Sequence, residues 1–537
     1  MPTLNWIGKE AVVNHHRRVP YRLLHCDKSM SAGDPEAGNL LVQGDNLEAL
    51  KALLPYYAGK VKCIYIDPPY NTGNENWIYN DNVNSPQIKK WLGQTVGKEA
   101  EDLTRHDKWL CMMYPRLALL REFLSEDGAI FVSIDDNEVA TLRLVMDELF
   151  GGQNFVANVI WQKMDSPKNT AIHLSEDHDY IFLYAKRAET WRPYPVPRTE
   201  KMVARYKNPD NDPRGVWLLS DLAARNYYAA GRYPIETPSG TVIEGPPAGS
   251  YWRVSRERFD ELNRDNRIWW GKSGSNRPGM KRFLSEVRDG VVPQTLWPWA
   301  EVGSTRHAKQ ELSGVMAGGA SSDLFITPKP TKLIERVMQI SADSTSLILD
   351  SFAGSGTTGH AVLQMNKADG GNRKFICIEM DETIARDVTA QRLRKVVEGY
   401  TNARGQAVEG LGGGFRFCML GKPLFDQYGG IDPDVKFNEL AAHVFFSETG
   451  SPLPKRAHGH SPLLGTFEGR AVYLLFNGIL GDKKPKGGNV LTGAVLESIS
   501  EHNGAKVIYG EACRLGEARL KAANIIFKQV PWEVRAG

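Results

Sequence analysis

Short apolar runs alternate along this chain with segments of helical spacing, and this alternation limits the possible fold more than any other feature. The apolar run Leu40–Val42 leads through a glycine turn into an amphipathic segment, Leu47–Leu54, and then into a second run, Val61–Ile66. The same order recurs where a segment of helical spacing, Trp109–Leu120, precedes the run Ala129–Ile134. Helices that alternate with short buried strands predict an α/β fold with a parallel sheet covered on both faces.

The length of the chain predicts more than one domain, because 537 residues exceed the roughly 250 to 300 that a single core supports. The alternation of apolar runs and segments of helical spacing is lost after residue 185 and returns by residue 324. A glycine-rich stretch follows at 401–414. These changes predict five segments. They are an irregular, polar N-terminal arm (1–39), the first half of an α/β domain (40–185), an inserted domain (186–300), the second half of the α/β domain (301–400) and a small C-terminal α/β domain (401–537).

Charge is distributed unevenly over these segments. The whole chain carries +3, but residues 186–300 hold fifteen arginines and five lysines against thirteen acidic residues, a net +7 that leaves −4 for the remainder. Arginine forms bidentate hydrogen bonds with phosphates and guanine edges, so the insert is the expected contact for a polyanion. It also holds seven of the 13 tryptophans, which we expect to be core residues.

Cysteine and hydropathy patterns restrict the environment of the protein. The six cysteines are widely spaced and form no CxxC pair, so neither a zinc site nor a disulfide framework is indicated. The N-terminal residues lack the apolar core of a signal peptide, and no stretch of 18 apolar residues occurs. We therefore expect a cytoplasmic protein without a metal site or a membrane span.

The run that ends at Ile66 continues directly into Asp67-Pro68-Pro69-Tyr70. Ligands of open α/β sheets bind beyond the carboxyl ends of the strands. Two consecutive prolines remove two N–H donors, so this loop offers carboxylate and carbonyl acceptors beside an aromatic ring. Such a loop suits an amino group on a planar ring. The alternative is a proline turn in which Asp67 caps local backbone.

A second run, Leu347–Leu349, leads through Asp350 into a glycine loop. The loop has the spacing of a Walker A motif, but His360 and Ala361 replace the required lysine and hydroxyl residue, which argues against a phosphate site. The next apolar run ends in Glu379, where a carboxylate can accept both ribose hydroxyls of a nucleoside. This pair of features predicts an adenosyl cofactor that is held by its sugar.

Asp67-Pro68-Pro69-Tyr70 together with Phe352-Ala353-Gly354-Ser355-Gly356 resembles the β class of DNA amino-methyltransferases that use S-adenosylmethionine. Further stretches resemble the methylation (Mod) subunit of type III restriction-modification systems. They are residues 43–50, Tyr70-Asn71-Thr72-Gly73, residues 131–138, Thr327-Pro328-Lys329-Pro330 and the C-terminal residues 506–515. The resemblance covers most of the chain except the insert.

The resemblance implies a Rossmann-like methyltransferase sheet with permuted motif order, in which 40–185 is the catalytic half, 301–400 the cofactor half and the insert the target-recognition domain. The implied reaction transfers a methyl group from S-adenosylmethionine to N6 of an adenine flipped out of duplex DNA. The implied catalytic residues are Asp67, Pro68, Pro69 and Tyr70. Those implied for the cofactor are Phe352, Gly354, Gly356, Thr357, Asp350, Glu379, Asp45, Lys329 and Pro330.

In the implied site, Glu379 binds the ribose, Asp45 approaches the adenine of the cofactor, and Lys329 and Pro330 close over its methionine end. Asp45 can equally be the N-cap of the helix near Leu47. The acidic residues in 135–138 could be read as metal ligands, but the pattern favours a capping box. In that box Asp135 is the N-cap and Glu138 lies three residues on.

Three other functions remain open: N4-cytosine methylation, adenine methylation by an orphan enzyme without a restriction partner, and an inactive module that only recognises a DNA sequence. The family also implies a homodimer, double-stranded DNA as substrate, and a helicase-nuclease subunit as partner.

Overall fold

The computed structural model describes residues 4–72, 90, 93, 94, 96, 104–316, 325, 327–402, 404–426, 428–454, 461–476, 488–499 and 502–534. Gly73 of the Tyr70-Asn71-Thr72-Gly73 stretch lies outside these residues. The chain divides into two compact units. One comprises Met1–Pro193 and Gln294–Gly537, and the other is Tyr194–Pro293, compared with the predicted insert at 186–300. Within the described ranges, no helix has the length and apolar character needed to cross a membrane.

The strands are numbered in chain order. They are β1 Arg22–Gly33, β2 Leu40–Gln43, β3 Val61–Ile66, β4 Leu124–Ile134, β5 Phe155–Gln162, β6 His178–Ala185, β7 Trp217–Asp221, β8 Ala223–Ala224, β9 Ile235–Glu236, β10 Val242–Ile243, β11 Tyr251–Trp252, β12 Ile268–Trp269, β13 Gly279–Phe283, β14 Leu296–Trp297, β15 Leu347–Asp350, β16 Lys374–Glu379, β17 Gly399–Thr401, β18 Ala407–Glu409, β19 Gly414–Pro423, β20 Leu463–Phe467, β21 Arg470–Leu474, β22 Val490–Leu491, β23 Lys506–Gly510, β24 Ala512–Cys513 and β25 Ile525–Gln529.

The α-helices are numbered in the same way. They are α1 Lys9–Val13, α2 His15–Arg18, α3 Asn46–Tyr57, α4 Arg105–Phe123, α5 Val139–Met146, α6 Glu200–Val203, α7 Arg256–Arg264, α8 Trp299–Val302, α9 Thr305–Val315, α10 Thr331–Ser341, α11 Thr357–Asp369, α12 Ala390–Glu398, α13 Phe437–Thr449, α14 Gly493–Ser498 and α15 Glu517–Ala522.

The first unit is built on a ten-stranded sheet with the order β1-β19-β2-β16-β15-β3-β4-β6-β5-β14. Neighbouring strands from β19 to β4 are parallel, and β6 is antiparallel to both β4 and β5. The apolar runs predicted as strands became β2, β3, β4, β15 and β16, which confirms the Rossmann-like α/β fold expected from the sequence. The strand order also shows the permuted motif order, because β15 and β16, which come late in the sequence, lie in the sheet between β2 and β3, which come early.

The core of this unit lies where the central strands meet α3 and α4. Leu50 and Leu53 of α3 and Trp109 and Leu117 of α4 are fully buried against strand residues such as Ile64. A capping box between Thr104 and Asp107 begins α4. Apolar side chains at helical spacing therefore cover the sheet as the sequence predicts.

The N-terminal segment differs from the irregular arm predicted for residues 1–39. It contains α1, α2 and the twelve-residue strand β1, which pairs antiparallel with β19 at the edge of the sheet. β1 faces solvent along much of its length, so its sequence is polar and lacks the apolar run by which the other strands were predicted.

The disulfide Cys26–Cys418 joins β1 to β19 and corrects the expectation that no disulfide is present. The two cysteines lie opposite each other on paired strands but are 392 residues apart in the sequence. The spacing of cysteines along the chain therefore could not reveal the pair.

The C-terminal region contributes a strand to the large sheet, whereas the sequence predicts a separate domain over 401–537. β19 belongs to the large sheet, and the smaller sheet that follows has the order β20-β21-β23-β25. Helix α13 covers one face of the smaller sheet through Leu440 and Val444, which pack near Val472 and Val507. The other face is covered by a cluster that includes Leu491.

The second unit, Tyr194–Pro293, consists of short strands around α7. β12, β13 and β7 form a small antiparallel sheet, and Trp252, Phe259 and Trp270 form part of a buried cluster. Of the seven tryptophans in 186–300, five are at most 7% exposed, which confirms that most are core residues.

Candidate active site

The two sequence motifs lie side by side in the structure. β3 and β15 are adjacent and parallel, with Cys63 opposite Ile348 and Ile64 opposite Leu349. Their carboxyl ends therefore place Asp67 and Asp350 at the same edge of the sheet. A single cleft there is lined by Tyr65, Asp67, Phe325, Thr327, Lys329, Asp350, Phe352, Ala353, Gly354, Ser355, Thr357 and Thr358.

The two carboxylate oxygens of Asp67 have different surroundings. Its Oδ2 forms an ion pair with the Nζ of Lys329 at 2.5 Å, and both side chains are nearly buried. Its Oδ1 is buried and has no hydrogen-bond partner among the described residues. Burial raises the pKa of Asp67, and the ammonium of Lys329 opposes this rise. The site thus holds one carboxylate oxygen in place and leaves the other as an unused acceptor.

Lys329 itself lies between aromatic rings. Its Nζ is 5.0 Å from the ring centroid of Tyr70 and 5.8 Å from that of Trp161. The resemblance implied a role for this lysine at the methionine end of a cofactor, whereas the structure places its ammonium on Asp67.

A second lysine–carboxylate pair orients Tyr70. The tyrosine hydroxyl lies 3.4 Å from Oδ2 of Asp179, and Oδ1 of Asp179 accepts a hydrogen bond from Lys163 at 2.6 Å. Burial, followed by the carboxylates of Asp179 and Asp67, raises the pKa of Tyr70 well above its usual value. Tyr70 is therefore a neutral phenol whose hydroxyl faces Asp179 and whose ring lies beside the Lys329 ammonium.

The prolines of the tetrapeptide are buried and anchored from α4. The indole Nε1 of Trp109 donates a 2.6 Å hydrogen bond to the carbonyl of Pro69. Trp109 was predicted only as an apolar residue of a helix, because helical spacing does not show where an indole N–H points. This hydrogen bond fixes the carbonyl of Pro69, the residue after Pro68.

The residue after the tetrapeptide, Asn71, is held by Glu138. Asn71 has a positive φ of 59° and donates to Oε1 of Glu138, which also interacts with Nδ1 of His106 at 2.7 Å. Glu138 is fully buried, and the side chain of Thr141 donates to its other oxygen. Asparagine adopts the left-handed region more readily than most other non-glycine residues, and this network stabilises the turn that follows Asp67-Pro68-Pro69-Tyr70.

The predicted capping box at Asp135 and Glu138 is wrong. Helix α5 begins at Val139 without a side-chain cap, and Asp135 instead accepts hydrogen bonds from Asn137. Glu138 is instead fully buried and accepts a hydrogen bond from Asn71, which is far away in the sequence. Burial raises the pKa of Asp135 to about 6.

The glycine loop is stabilised by carboxylates from two strand ends. Asp350 accepts hydrogen bonds from the backbone N–H of Phe352 at 3.0 Å and from the hydroxyl of Thr358 at 2.5 Å. Glu379, at the end of β16, accepts from the N–H of Gly354 at 2.8 Å. Burial raises the pKa of Asp350 to about 7 and that of Glu379 well above its usual value.

Two glycines of this loop have backbone conformations that favour glycine, with φ of 51° at Gly354 and 78° at Gly356. A Cβ on Gly354 would lie 2.6 Å from a ring carbon of Phe325, which lines the same cleft. Gly356 also marks the start of α11. Both positions therefore need glycine for backbone shape and close packing.

The segment with Lys329 and Pro330 is tied to the glycine loop. The hydroxyl of Thr357 donates to the backbone carbonyl of Lys329 at 3.1 Å, and Arg392 donates to that hydroxyl at 2.9 Å. Pro330 is the N-cap residue of α10. Thr357 and Lys329 thus share the cleft, whereas Pro330 supports it from outside the lining residues.

Asp45 acts as a helix cap. Its Oδ1 accepts from the N–H groups of Leu47 and Glu48, and its Oδ2 pairs with Arg116 at 2.9 Å. The capping interpretation is therefore confirmed. The neighbouring Asn46 donates to the carbonyl of Ser351 in the glycine loop at 3.2 Å, a contact that the sequence did not reveal.

Within the part of the chain that the structure describes, no group of three or more histidine, cysteine or acidic residues could hold a metal ion.

Comparison with known proteins identifies the family. A family model described as DNA methylase matches residues 61–391, which include both motifs and the insert between them. The chain belongs to the DNA methylase family. In this methylase the matched region begins at β3 and ends within α12, so it contains the strand ends that form the cleft.

Individual relatives share 27% to 35% of their residues with this chain in the matched regions. The methylase is 35% identical to the type III restriction-modification enzyme StyLTI Mod subunit of Salmonella typhimurium, over 72% of this chain and 60% of that protein. It is 33% identical to the EcoPI Mod subunit of Escherichia phage P1, over 73% of this chain and 65% of that protein. The type II methyltransferase M.KpnI of Klebsiella pneumoniae is 27% identical over 71% of this chain and 93% of its own length. The methylase thus spans about two thirds or less of these type III relatives.

Proposed function

We propose that this methylase transfers the methyl group of S-adenosylmethionine to the N6 amino group of an adenine that is flipped out of duplex DNA. The observation that supports this most directly is the shared cleft, in which the unpartnered Oδ1 of Asp67 lies beside the loop of Phe352 and Gly354. An oxygen that can accept a hydrogen bond from an amino group and a glycine loop that suits a nucleoside cofactor therefore meet at one edge of the sheet.

The residues present fit the cofactor. Phe352, Gly354 and Gly356 would shape the pocket for its methionine end, and a Cβ at Gly354 would occupy the space that Phe325 already approaches. Glu379 is fully buried at the adjacent strand end, where it would accept hydrogen bonds from ribose hydroxyls. The bound cofactor supplies a methyl group on a positively charged sulfonium, and the Asp350 and Asp67 carboxylates favour that charge.

Asp67 would act on the amino group of the adenine. The lone pair of N6 is delocalised into the ring, so the nitrogen is a poor nucleophile until its hydrogens are held. If Oδ1 of Asp67 and the carbonyl of Pro68 each accept one hydrogen, the lone pair is directed at the methyl group. Hydrogen bonds to charged acceptors contribute roughly 1.5 to 3 kcal/mol each. Orientation and dipole placement therefore contribute as much as bond strength.

Tyr70 would stack on the flipped adenine. Its ring already lies beside the Lys329 ammonium, and its hydroxyl is oriented by Asp179. Stacking on an aromatic side chain contributes about 1 to 3 kcal/mol per base, which offsets much of the unstacking cost of a few kcal/mol.

The insert is the proposed DNA-reading element. It carries the +7 charge, although Arg214 and Arg267 are already paired with carboxylates of the same unit. Exposed arginines such as Arg225 and Arg282 are better candidates for contacts with DNA.

Similarity to two Mod subunits supports a type III system with a helicase-nuclease partner. The homodimer is proposed from the family resemblance alone. This chain matches 93% of the length of a type II methyltransferase, M.KpnI, which supports a second candidate, a methyltransferase outside a type III system. Co-purification with the helicase-nuclease from the host separates these two candidates.

The decisive experiment incubates the purified protein with DNA and S-adenosylmethionine labelled in its methyl group, followed by mass spectrometry of the nucleosides. We expect N6-methyladenine, and we expect Asp67→Ala to abolish it. Asp127→Ala is the matched control, because that carboxylate is 64% exposed and lies outside the cleft. N4-methylcytosine would support the cytosine alternative, and failure to bind the cofactor in calorimetry would support an inactive specificity module.

A further inference from the structure

The connection between β5 and β6, residues 163–177, leaves the sheet beside the catalytic loop. β5 is antiparallel to β6, which is antiparallel to β4, so β5 runs in the same direction as β3. Its carboxyl end at Gln162 is therefore at the edge of the sheet where Asp67 lies.

The base of this connection is fixed to the active site. The N–H groups of Lys163 and Met164 donate to the carbonyl of Asp177 at 2.9 and 3.2 Å. Lys163 also pairs with Asp179, which contacts the hydroxyl of Tyr70. The carboxylate of Asp179 thus links the base of the connection to the tetrapeptide.

The outer part of the connection is a closed loop with an apolar tip. The N–H of Lys168 donates to Oγ of Ser175 at 2.8 Å, which brings the two ends of 168–175 together. Ile172 is 92% exposed and Leu174 is 87% exposed, more than any other large apolar side chain among the described residues. Two aliphatic side chains on one exposed tip leave apolar surface that a partner can bury.

We propose that Ile172 and Leu174 enter the DNA duplex and fill the space that the flipped adenine leaves. This inference rests on the proposed function and names the residues that carry out its base-flipping step. Leu174 is five residues from Asp179, so the tip lies within about 17 Å of the residue that orients Tyr70. Apolar side chains inserted between base pairs offset the cost of unstacking, and the exposed Lys168 at the base of the tip can contact a phosphate.

The test compares two DNA duplexes of the same sequence. In one duplex the target adenine is paired with thymine, and in the other it lies opposite an abasic site and is already free to leave the stack. For the double variant Ile172→Ser with Leu174→Ser, we expect kcat/KM to fall at least about tenfold on the paired duplex and to stay near the native value on the abasic duplex. A duplex with 2-aminopurine at the target should also show less fluorescence increase on binding the variant than on binding the native protein.

Two controls accompany this variant. Ile526→Ser removes an exposed isoleucine in the C-terminal sheet and should leave methylation unchanged on both duplexes. The conservative exchange Ile172→Leu with Leu174→Ile should restore activity on the paired duplex.

The outcomes separate the two proposals. If the native protein methylates neither duplex, the proposed function is overturned. If the native protein is active and the double serine variant is equally impaired on both duplexes, or on neither, the insertion of these side chains is overturned. Unchanged cofactor affinity in calorimetry shows that the variant is folded.

Discussion

Removal of the Lys329 ammonium is the most informative perturbation of the cleft. Its Nζ lies 2.5 Å from Oδ2 of Asp67, and the two side chains are only 8% and 11% exposed. Deleting one member of a buried ion pair costs about 3 to 5 kcal/mol, because the other charge stays in a medium of low polarity. Asp67 avoids much of this cost by taking up a proton.

The size of the expected effect follows from linkage between protonation and free energy. One pKa unit corresponds to about 1.4 kcal/mol, so a loss of 3 kcal/mol corresponds to a rise of about two units in the pKa of Asp67. Burial already raises this pKa, and Lys329 is the main group that opposes the rise. A protonated Asp67 has lost its acceptor charge, so methyl transfer should fail at low pH and return as pH increases.

The assay measures kcat at saturating DNA and S-adenosylmethionine from pH 5 to pH 10. For Lys329→Met we expect the acidic limb of the profile to move upward by about two units. Lys329→Arg, which keeps the charge, should move it much less. If the methionine variant keeps the native profile and instead shows only a raised KM for S-adenosylmethionine, then Lys329 acts on the cofactor and the reasoning about Asp67 is refuted.

Three further variants test other parts of the site. Burial raises the pKa of Asp350 to about 7. The unfolded chain therefore releases this proton at lower pH than the folded protein does, so the free energy of unfolding falls as pH rises from about 4 to 7. Asp350→Asn, which cannot ionise, should raise Tm at about pH 8 but not at about pH 4. Glu138→Gln should lower kcat about tenfold without changing calorimetric cofactor affinity, because Glu138 holds the turn at Asn71 and does not line the cleft; unchanged kcat would exclude that role. Gly354→Ala should weaken cofactor binding at least about tenfold through its contact with Phe325, whereas Gly370→Ala, also at positive φ but in open space, should not.

The central fold could be predicted because each buried strand is a short apolar run. Val61–Ile66 and Leu347–Asp350 are buried on both faces of a parallel sheet, so burial leaves a direct trace in the sequence. The same rule located three acidic residues at the carboxyl ends of strands: Asp67 follows β3, and Asp350 and Glu379 are the last residues of β15 and β16.

The rest of the site depends on contacts between residues that are distant in sequence. Asp179 orients Tyr70 from 109 residues away, and Lys329 reaches Asp67 from 262 residues away. Nothing in the local pattern distinguishes these side chains from exposed charges. Glu138 was misassigned for the same reason, because a capping motif is visible locally and its buried partner is not. The strand β1 escaped prediction because its exposure leaves it polar.

The strand order of the large sheet has a consequence for synthesis on the ribosome. β2 and β3 are made early, but they are separated in the sheet by β16 and β15, and β15 begins 281 residues after β3 ends. At about 5 to 20 residues per second, the nascent chain carries β3 without its cofactor-side neighbour for about 15 to 60 s. Throughout that interval two apolar strand edges lack their native partners, so the growing chain is a substrate for chaperones before it can be a methylase.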